Sequence, residues 1–359
     1  MGEKITMLPR RILATVILII GFGGLFSPSS QATEHRQQTQ SPTNSASDTF
    51  TTRQGSHFDK LRQALESLLK APWLAGCQSL KIYETEFSDT PLNAVPIYII
   101  GIHPLHNPQR LFEVYGPIVD HLDAHIAEAH FKLEASRNYE EFEKKLDAGH
   151  FDFAMPNPYQ TVRSLRHGYR IFGKMGDDEN FRGILLLRRD STIRQVSDLK
   201  GKALSYPAPS ALAATMMPQY YLHAHGIDIN HDIKNLYVGS QESSIMNVLL
   251  GHVAAGATWP VPWKSFAEQH PDRAKQLFIK WQTDTLPNNG WVAHNRVPAV
   301  IIERFQTILF VLERSEEGRK MLARIPVSRF QPATEETYRA VREFLDKFSK
   351  NVRSLEQAG

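Results

Sequence analysis

The sequence contains one cysteine, Cys77, among 359 residues. One thiol cannot form an internal disulfide, and nothing near Cys77 marks it as a nucleophile. No Gly-x-Ser-x-Gly segment is present, and the sequence therefore lacks the nucleophile signature of an α/β-hydrolase. The longest apolar run, residues 12–26, falls short of the ~20 residues that a membrane-spanning helix needs.

Neither sign of charge dominates the chain. It has 41 basic and 38 acidic residues, a net charge of +3 with neutral histidines. This balance gives no support for nucleic acid or a membrane surface as a partner. The length is sufficient for two domains or one large domain.

The N-terminus has the pattern of a secretory signal peptide. Lys4, Arg10 and Arg11 precede the apolar run, and Ser30-Gln31-Ala32 fits a small-x-small cleavage site. We therefore expect residues 1–32 to be removed on export, with an uncleaved membrane anchor as the alternative. The remaining chain has 38 basic and 37 acidic residues, which is close to neutral.

Two further segments precede the main body of the chain. Residues 33–56 are rich in Ser, Thr and Gln without an apolar period, which predicts a disordered linker. Residues 57–94 are predicted to be an N-terminal helical extension. Its helix, residues 57–74, has apolar residues at helical spacing: Phe58, Leu61, Leu65, Leu68 and Leu69.

From Val95 onward, strand and helix patterns alternate, which is typical of an α/β fold. The alternation restarts after Asp190, and the chain then returns to its first half. We therefore predict two lobes around a cleft, with residues 95–187 and 290–359 in lobe 1 and residues 188–289 in lobe 2. Two strands near residues 183–190 and 288–295 are expected to form the hinge.

The segment 198–228 is the first candidate for a ligand site. It contains a short strand, Lys202 to Tyr206, followed by a loop with two prolines and a helix that begins near Ser210. The first N–H groups of a helix have no intrahelical acceptor, so they can hold an anion. The alternative is an ordinary strand–helix connection in which Ser210 only caps the helix.

Four segments resemble a known family in sequence and in order. They are YGPIVDHL, NYEEFEKKLDAGHFDFAMPNPYQ, DLKGKALSYP with the helix after it, and VGSQESSIMNVLLGHVAAGAT. The chain thereby resembles the phosphate/phosphite/phosphonate-binding proteins of ABC importers. This resemblance implies a two-lobed type II periplasmic-binding-protein fold, in which each lobe is a mixed sheet flanked by helices.

The resemblance also implies a function. The protein is expected to be a periplasmic receptor that closes on a small anion and transfers it to an ABC permease. We expect a monomer that is not an enzyme, with no cofactor, metal or nucleic-acid partner. A ligand-sensing or partner-binding module of the same fold, which presents a signal to a membrane sensor, is the alternative.

Hydroxyl and amide groups at the strand ends are the predicted ligand contacts, because a tetrahedral oxyanion needs several converging donors. They are Tyr139, Tyr159, Ser205, Tyr206, Ser210, Ser240, Gln241, Ser243 and Thr258. The chain departs from the family where residues 209–213 read Pro-Ser-Ala-Leu-Ala in place of Ser-Thr-Ser-Gly. Gln241 stands where many members have histidine. Trp259 and Trp263 are expected either to line a more apolar pocket or to pack in the core.

Overall fold

The computed structural model describes residues 95–355. The predicted signal peptide, linker and helical extension all lie outside the described residues. The strands are β1 Ile97–Ile102, β2 His130–Ala135, β3 Phe153–Met155, β4 Tyr169–Met175, β5 Arg182–Arg188, β6 Ala203–Tyr206, β7 Lys234–Tyr237, β8 Ala255–Thr258, β9 Leu277–Thr285, β10 Gly290–His294 and β11 Phe330–Pro332.

Ten α-helices are assigned within the described part of the chain. They are α1 Pro108–His125, α2 Tyr139–Asp147, α3 Pro158–Ser164, α4 Met217–Ala224, α5 Gln241–Leu249, α6 Pro260–Gln269, α7 Pro271–Ala274, α8 Ala299–Leu309, α9 Glu316–Arg324 and α10 Arg339–Asn351. A short π-helix, Leu212–Met216, leads directly into α4. None of the helices between residues 95 and 355 is long and apolar enough to cross a bilayer.

The strands form two mixed sheets with the same pattern of pairing. The first has the order β11-β4-β10-β3-β1-β2, and the second has the order β7-β6-β8-β5-β9. In the first sheet β1 is parallel to β2 and β3, whereas β10 runs antiparallel to β3 and β4. In the second, β6 is parallel to β7 and β8, whereas β5 runs antiparallel to β8 and β9. Each sheet thus has three adjacent parallel strands with one antiparallel strand beside them: β10 beside β3 in the first sheet, and β5 beside β8 in the second.

The chain passes between the sheets in the segments 176–181 and 286–289. The predicted boundary at residue 187 is wrong, because all of β5 pairs within the second sheet. The run RGILLLR is buried on both faces and gives no indication of which sheet it joins. The crossing segments lie directly before β5 and before β10: the first precedes the predicted range 183–190, and the second overlaps the predicted range 288–295 at residues 288–289.

Aromatic rings form much of the first core. Phe153 of β3 stacks on Phe305 of α8 with ring centroids 4.4 Å apart, and Trp291 of β10 lies edge-on to the same Phe305 ring at 5.5 Å. These side chains are fully buried or nearly so. Burial of large apolar groups provides the main stabilisation of the sheet against its helices.

Local capping signals determine where the helices begin. The Asn138 side chain accepts a hydrogen bond from Glu141 N and caps the start of α2. Asn157 and Gln160 form a reciprocal capping box at the start of α3. The two caps place Tyr139 and Asn157 at the end of the sheet that faces the second lobe.

The last helix contacts both lobes. α10 packs against α3, which follows a strand of the first sheet, and against α4, which follows a strand of the second. Just beyond it, Arg353 Nε donates to Gln219 Oε1 at 3.1 Å, and Asn230 Nδ2 donates to Val352 O at 3.0 Å. The C-terminal segment therefore returns from the first sheet to the helices of the second.

Candidate ligand site between the lobes

A small cavity lies between the two sheets. Its volume is about 10 Å³, which is room for about one water molecule. It is lined by His103, Tyr139, Asn157, Phe181, Ala211, Leu212, Ala213, Ala214, Gln241, Trp259 and Asn289. Both lobes and both crossing segments contribute to this lining.

Most of the lining follows directly from the strand order. His103 comes immediately after β1, Asn157 shortly after β3, and Trp259 immediately after β8. The carboxyl ends of parallel strands meet at one edge of a sheet, which is where open α/β sheets hold ligands. The two such edges face each other across the cavity.

A glycine allows the π-helix to approach the second sheet closely. A Cβ atom added to Gly183 of β5 would lie 2.6 Å from both Ala213 O and Pro218 Cδ. Real Cβ atoms are not found at such distances from backbone atoms. Gly183 therefore permits the position of residues 211–214 against the cavity.

One hydrogen-bond chain connects the lobes through Gln241. Its Nε2 donates to Tyr139 Oη of the first lobe at 3.2 Å. Its Oε1 accepts from Thr258 Oγ1 at 2.8 Å. The two contacts determine the orientation of the amide and leave the Tyr139 hydroxyl proton able to donate elsewhere.

A second cross-lobe contact involves Asn157 and Ser210. Asn157 Nδ2 donates to Ser210 O at 3.1 Å, while its Oδ1 caps α3. The Ser210 side chain also hydrogen-bonds the buried carboxyl group of Glu143, which accepts from Gln160 Nε2 at 2.7 Å. Burial raises the pKa of Glu143, and these hydrogen bonds partly oppose that shift.

The cavity is electrically neutral. Among the described residues that line it, none carries a lysine, arginine or carboxylate side chain. The only titratable base is His103, and burial lowers its pKa to about 4, so the ring is uncharged at neutral pH. Its Nδ1 lies 2.9 Å from Met155 O, an oxygen that can only accept. The proton is therefore on Nδ1, and Nε2 is a bare acceptor.

Comparisons with known proteins identify the family and the fold. A sequence model of the family described as "ABC transporter, phosphonate, periplasmic substrate-binding protein" matches residues 100–338. The chain belongs to this family. Among its relatives, the probable phosphite-binding protein PhnD1 of an ABC transporter in Prochlorococcus marinus is 24% identical over 204 residues, which are 53% of this chain and 67% of that protein.

Solved structures show the same fold. A binding-protein component of an ABC phosphonate transporter from Pseudomonas aeruginosa aligns with a TM-score of 0.67 at 17% identity, over 72% of this chain and 88% of that one. PhnD1 of Prochlorococcus marinus in complex with methylphosphonate aligns with a TM-score of 0.65 at 18% identity, over 71% and 98%. The predicted family and the predicted two-lobed periplasmic-binding-protein fold are confirmed.

The nine predicted contacts occupy different places in this family member. Tyr139 and Gln241 line the cavity, and Thr258 and Ser210 contact lining residues. The other serines have partners within the second lobe: Ser240 caps α5 and bonds Ser243, while Ser205 and Ser244 hydrogen-bond each other beneath α5.

The two remaining tyrosines do not line the cavity. Tyr206 is fully buried, and its hydroxyl has no hydrogen-bond partner among the described residues. Tyr159 lies one residue into α3 and faces a separate groove between α3 and α10. A helix turns each successive side chain by about 100°, so residues next to a site in sequence need not face it.

Apart from Trp259, eight lining residues were not among the predicted contacts: residues 211–214 lie within the candidate segment 198–228, and the other four lie outside it. His103 and Asn157 follow strands directly, so the strand-end rule that suggested Tyr139 also applies to them. Phe181 and Asn289 lie in the crossing segments and have no local sequence signal. Trp259 lines the cavity and also packs against Phe181 with ring centroids 5.4 Å apart, so both alternatives considered for it apply.

The groove beside Tyr159, which we call the outer groove, has a volume of about 810 Å³. Its lining includes Arg163, Arg166, His167 and Arg342 with one carboxylate, Asp346. Arg163 pairs with Asp147 and with Glu143. Within residues 95–355, neither Arg166 nor Arg342 forms an ion pair.

Proposed function

We propose that this chain is the periplasmic solute-binding component of an ABC importer and binds a small phosphonate-type oxyanion in the interlobe cavity. The observation that carries the proposal is the meeting of Tyr139, Gln241 and residues 211–214 at one point between the lobes. Each of these groups stands at the start of a helix, and the first N–H groups of a helix are free to bind an anion. The relatives that bind phosphite and methylphosphonate support this ligand class.

The mechanism follows from the size of the cavity. A volume of about 10 Å³ cannot contain a phosphonate, so the lobes must separate further before a ligand enters. A ligand that contacts Tyr139 of one lobe and residues 211–214 of the other favours a closed state around it. The crossing segments 176–181 and 286–289 are the proposed hinge.

The proposal includes export to the periplasm and transfer of the ligand to a membrane permease. It assigns no chemical step to the protein. The lining supplies hydrogen-bond donors and aromatic surface, which are the features of a binding site. We propose that the protein acts as a monomer.

Ligand-dependent melting of the exported chain, residues 33–359, tests the proposal. Phosphite, phosphate and methylphosphonate are added one at a time, and calorimetry gives the affinity of any ligand that stabilises. A ligand at 100 times its Kd should stabilise the protein by about 2.7 kcal/mol. A melting temperature unchanged by all three ligands would contradict the proposal.

A pair of glutamine variants locates the binding site. Gln241→Ala removes the cross-lobe hydrogen bond and should weaken binding by about 10-fold or more. Gln269→Ala changes an exposed glutamine at the end of α6 in the same lobe and should leave the affinity unchanged. Equal affinities for the two variants would exclude the interlobe cavity as the site.

A further inference from the structure

Asn289 is a buried polar residue whose hydrogen bonding is incomplete. Its side chain is fully buried and lines the cavity. Its Nδ2 donates to Met175 Sδ at 3.3 Å, which leaves Oδ1 without a partner among the described residues. An unpaired buried carbonyl oxygen is costly, so a partner on a ligand would relieve that cost.

His103 presents a second acceptor to the same cavity. Its Nδ1 is committed to Met155 O, so Nε2 carries a lone pair and no proton. The titratable groups nearest the ring are Tyr139 of α2 and His106 of the same loop, and Glu143 lies beyond Tyr139. Burial together with Arg110 lowers the pKa of His106 to about 4, so both rings are uncharged above pH 5.

Two bare acceptors are an unexpected feature of a site for a fully ionised oxyanion. Such an ion offers only lone pairs, and its oxygens would be repelled by Asn289 Oδ1 and His103 Nε2. A ligand that keeps one acidic proton can instead donate to an acceptor while its other oxygens accept from Tyr139 and the helix N–H groups. The neutral lining also favours one negative charge over two.

We infer that Asn289 and His103 select a ligand that donates a hydrogen bond, namely the protonated monoanion of a phosphonate-type acid. The inference rests on the proposed function and adds the protonation state of the ligand. It predicts discrimination against a sulfonate, which has the same shape and the same single charge but no acidic proton.

The test compares methylphosphonate with methanesulfonate at about pH 5. Phosphate-type groups have a second pKa of about 6, so methylphosphonate is largely the monoanion there, and the two ligands differ chiefly in one O–H group. Calorimetry on the exported wild-type chain should show about 10- to 100-fold tighter binding of methylphosphonate. Equal affinities, or tighter binding of the sulfonate, would overturn the inference while leaving the proposed function intact.

A different experimental result would show that the proposed function itself is wrong. If neither methylphosphonate, phosphite nor phosphate binds the wild-type chain at any pH, the cavity is not an oxyanion site and the proposed function itself is wrong. Binding of phosphonate and sulfonate alike refutes only the selection by Asn289 and His103.

Single substitutions test whether Asn289 Oδ1 and His103 Nε2 each contribute to the selection of phosphonate over sulfonate. Asn289→Leu removes the unpaired oxygen and should reduce the phosphonate-to-sulfonate affinity ratio by about 10-fold. His103→Asn can retain a donor to Met155 O while removing the Nε2 acceptor, and should also reduce the ratio. Tyr115→Phe is the control, because it removes a buried unpaired hydroxyl in α1 that does not line the cavity.

Folding of each variant is checked by its melting temperature. If Asn289→Leu does not fold, Asn289→Ala also removes the acceptor and is measured in its place. A ratio that stays at the wild-type value in folded variants at both Asn289 and His103 would overturn the inference.

Discussion

The interlobe cavity and the outer groove differ in every property that could identify an anion site. The cavity holds about 10 Å³, is neutral and is lined by residues from both lobes. The outer groove holds about 810 Å³, lies between α3 and α10 and contains three arginines. A search for positive charge would choose the groove, whereas the fold and the cross-lobe contacts favour the cavity.

The difference shows how a closing receptor can bind an anion. Exposed arginines attract anions only weakly because water and salt screen them. Buried N–H and O–H donors need no counter-charge, and they act at full strength once closure excludes water. The neutral cavity is therefore the better candidate for specific recognition.

Acid should produce the largest effect on stability, through the histidines beside the cavity. The folded-state pKa values of His103 and His106 are about 4, below the 6.5 of an exposed histidine, so the unfolded chain binds protons first. Their contribution to the free energy of unfolding is fully present above pH 6.5 and is lost as the pH falls towards 4. The loss is at most roughly 3 kcal/mol for each histidine.

Thermal melts between pH 7 and pH 4 check this prediction. His103→Asn should flatten the pH dependence relative to wild type, whereas replacement of the exposed His252 should not. The raised pKa of Glu143 acts in the opposite direction, so the comparison of variants isolates the histidine contribution. A pH dependence that is identical in wild type and His103→Asn would contradict the buried, neutral ring.

Gly183→Ala should have the next largest effect. The added methyl group would collide with Ala213 O and Pro218, which overpacks the second lobe by about 1–3 kcal/mol and displaces residues 211–214 from the cavity. We expect a lower melting temperature together with loss of ligand binding. Gly116→Ala in α1 is the control, because its new Cβ has no neighbour within 4 Å. Retained ligand affinity in Gly183→Ala would show that residues 211–214 are not part of the site.

The smallest effect is expected at the outer groove. Arg166→Ala and Arg342→Ala should change stability by less than about 0.5 kcal/mol, since neither arginine has an ion-pair partner in the described part of the chain. The affinity for methylphosphonate should stay within about twofold of wild type, because these surface charges are screened. A large loss of affinity in either variant, measured by calorimetry, would show that the anion binds in the outer groove and not in the interlobe cavity.

Local sequence patterns were sufficient to predict the secondary-structure elements and the family. The alternation of strands and helices predicted an α/β fold, and the start of α2 is set by the Asn138 cap three residues from its partner Glu141. These signals depend on nearest neighbours along the chain, where capping and apolar periodicity act. Tyr139 and Gln241 were predicted as ligand contacts at strand ends, and both line the cavity.

The assignment of strands to sheets required the tertiary structure. β5 reads as a buried strand in either lobe, and only its pairing with β8 and β9 places it in the second sheet. Similarly, Tyr139 and Tyr159 both stand at the start of a helix that follows a strand. Tyr139 faces the cavity and Tyr159 faces the outer groove, because each helix has its own rotation about its axis.

Residue types and their order along the chain thus account for the fold class, the family and two of the lining side chains. The tertiary structure decided which acceptors were left unpaired. Asn289 lies in a crossing segment with no periodic pattern, and its unpaired oxygen results from packing against Met175 and burial between the lobes. Hydrogen-bond satisfaction depends on residues distant in sequence, so no local pattern could have identified this atom.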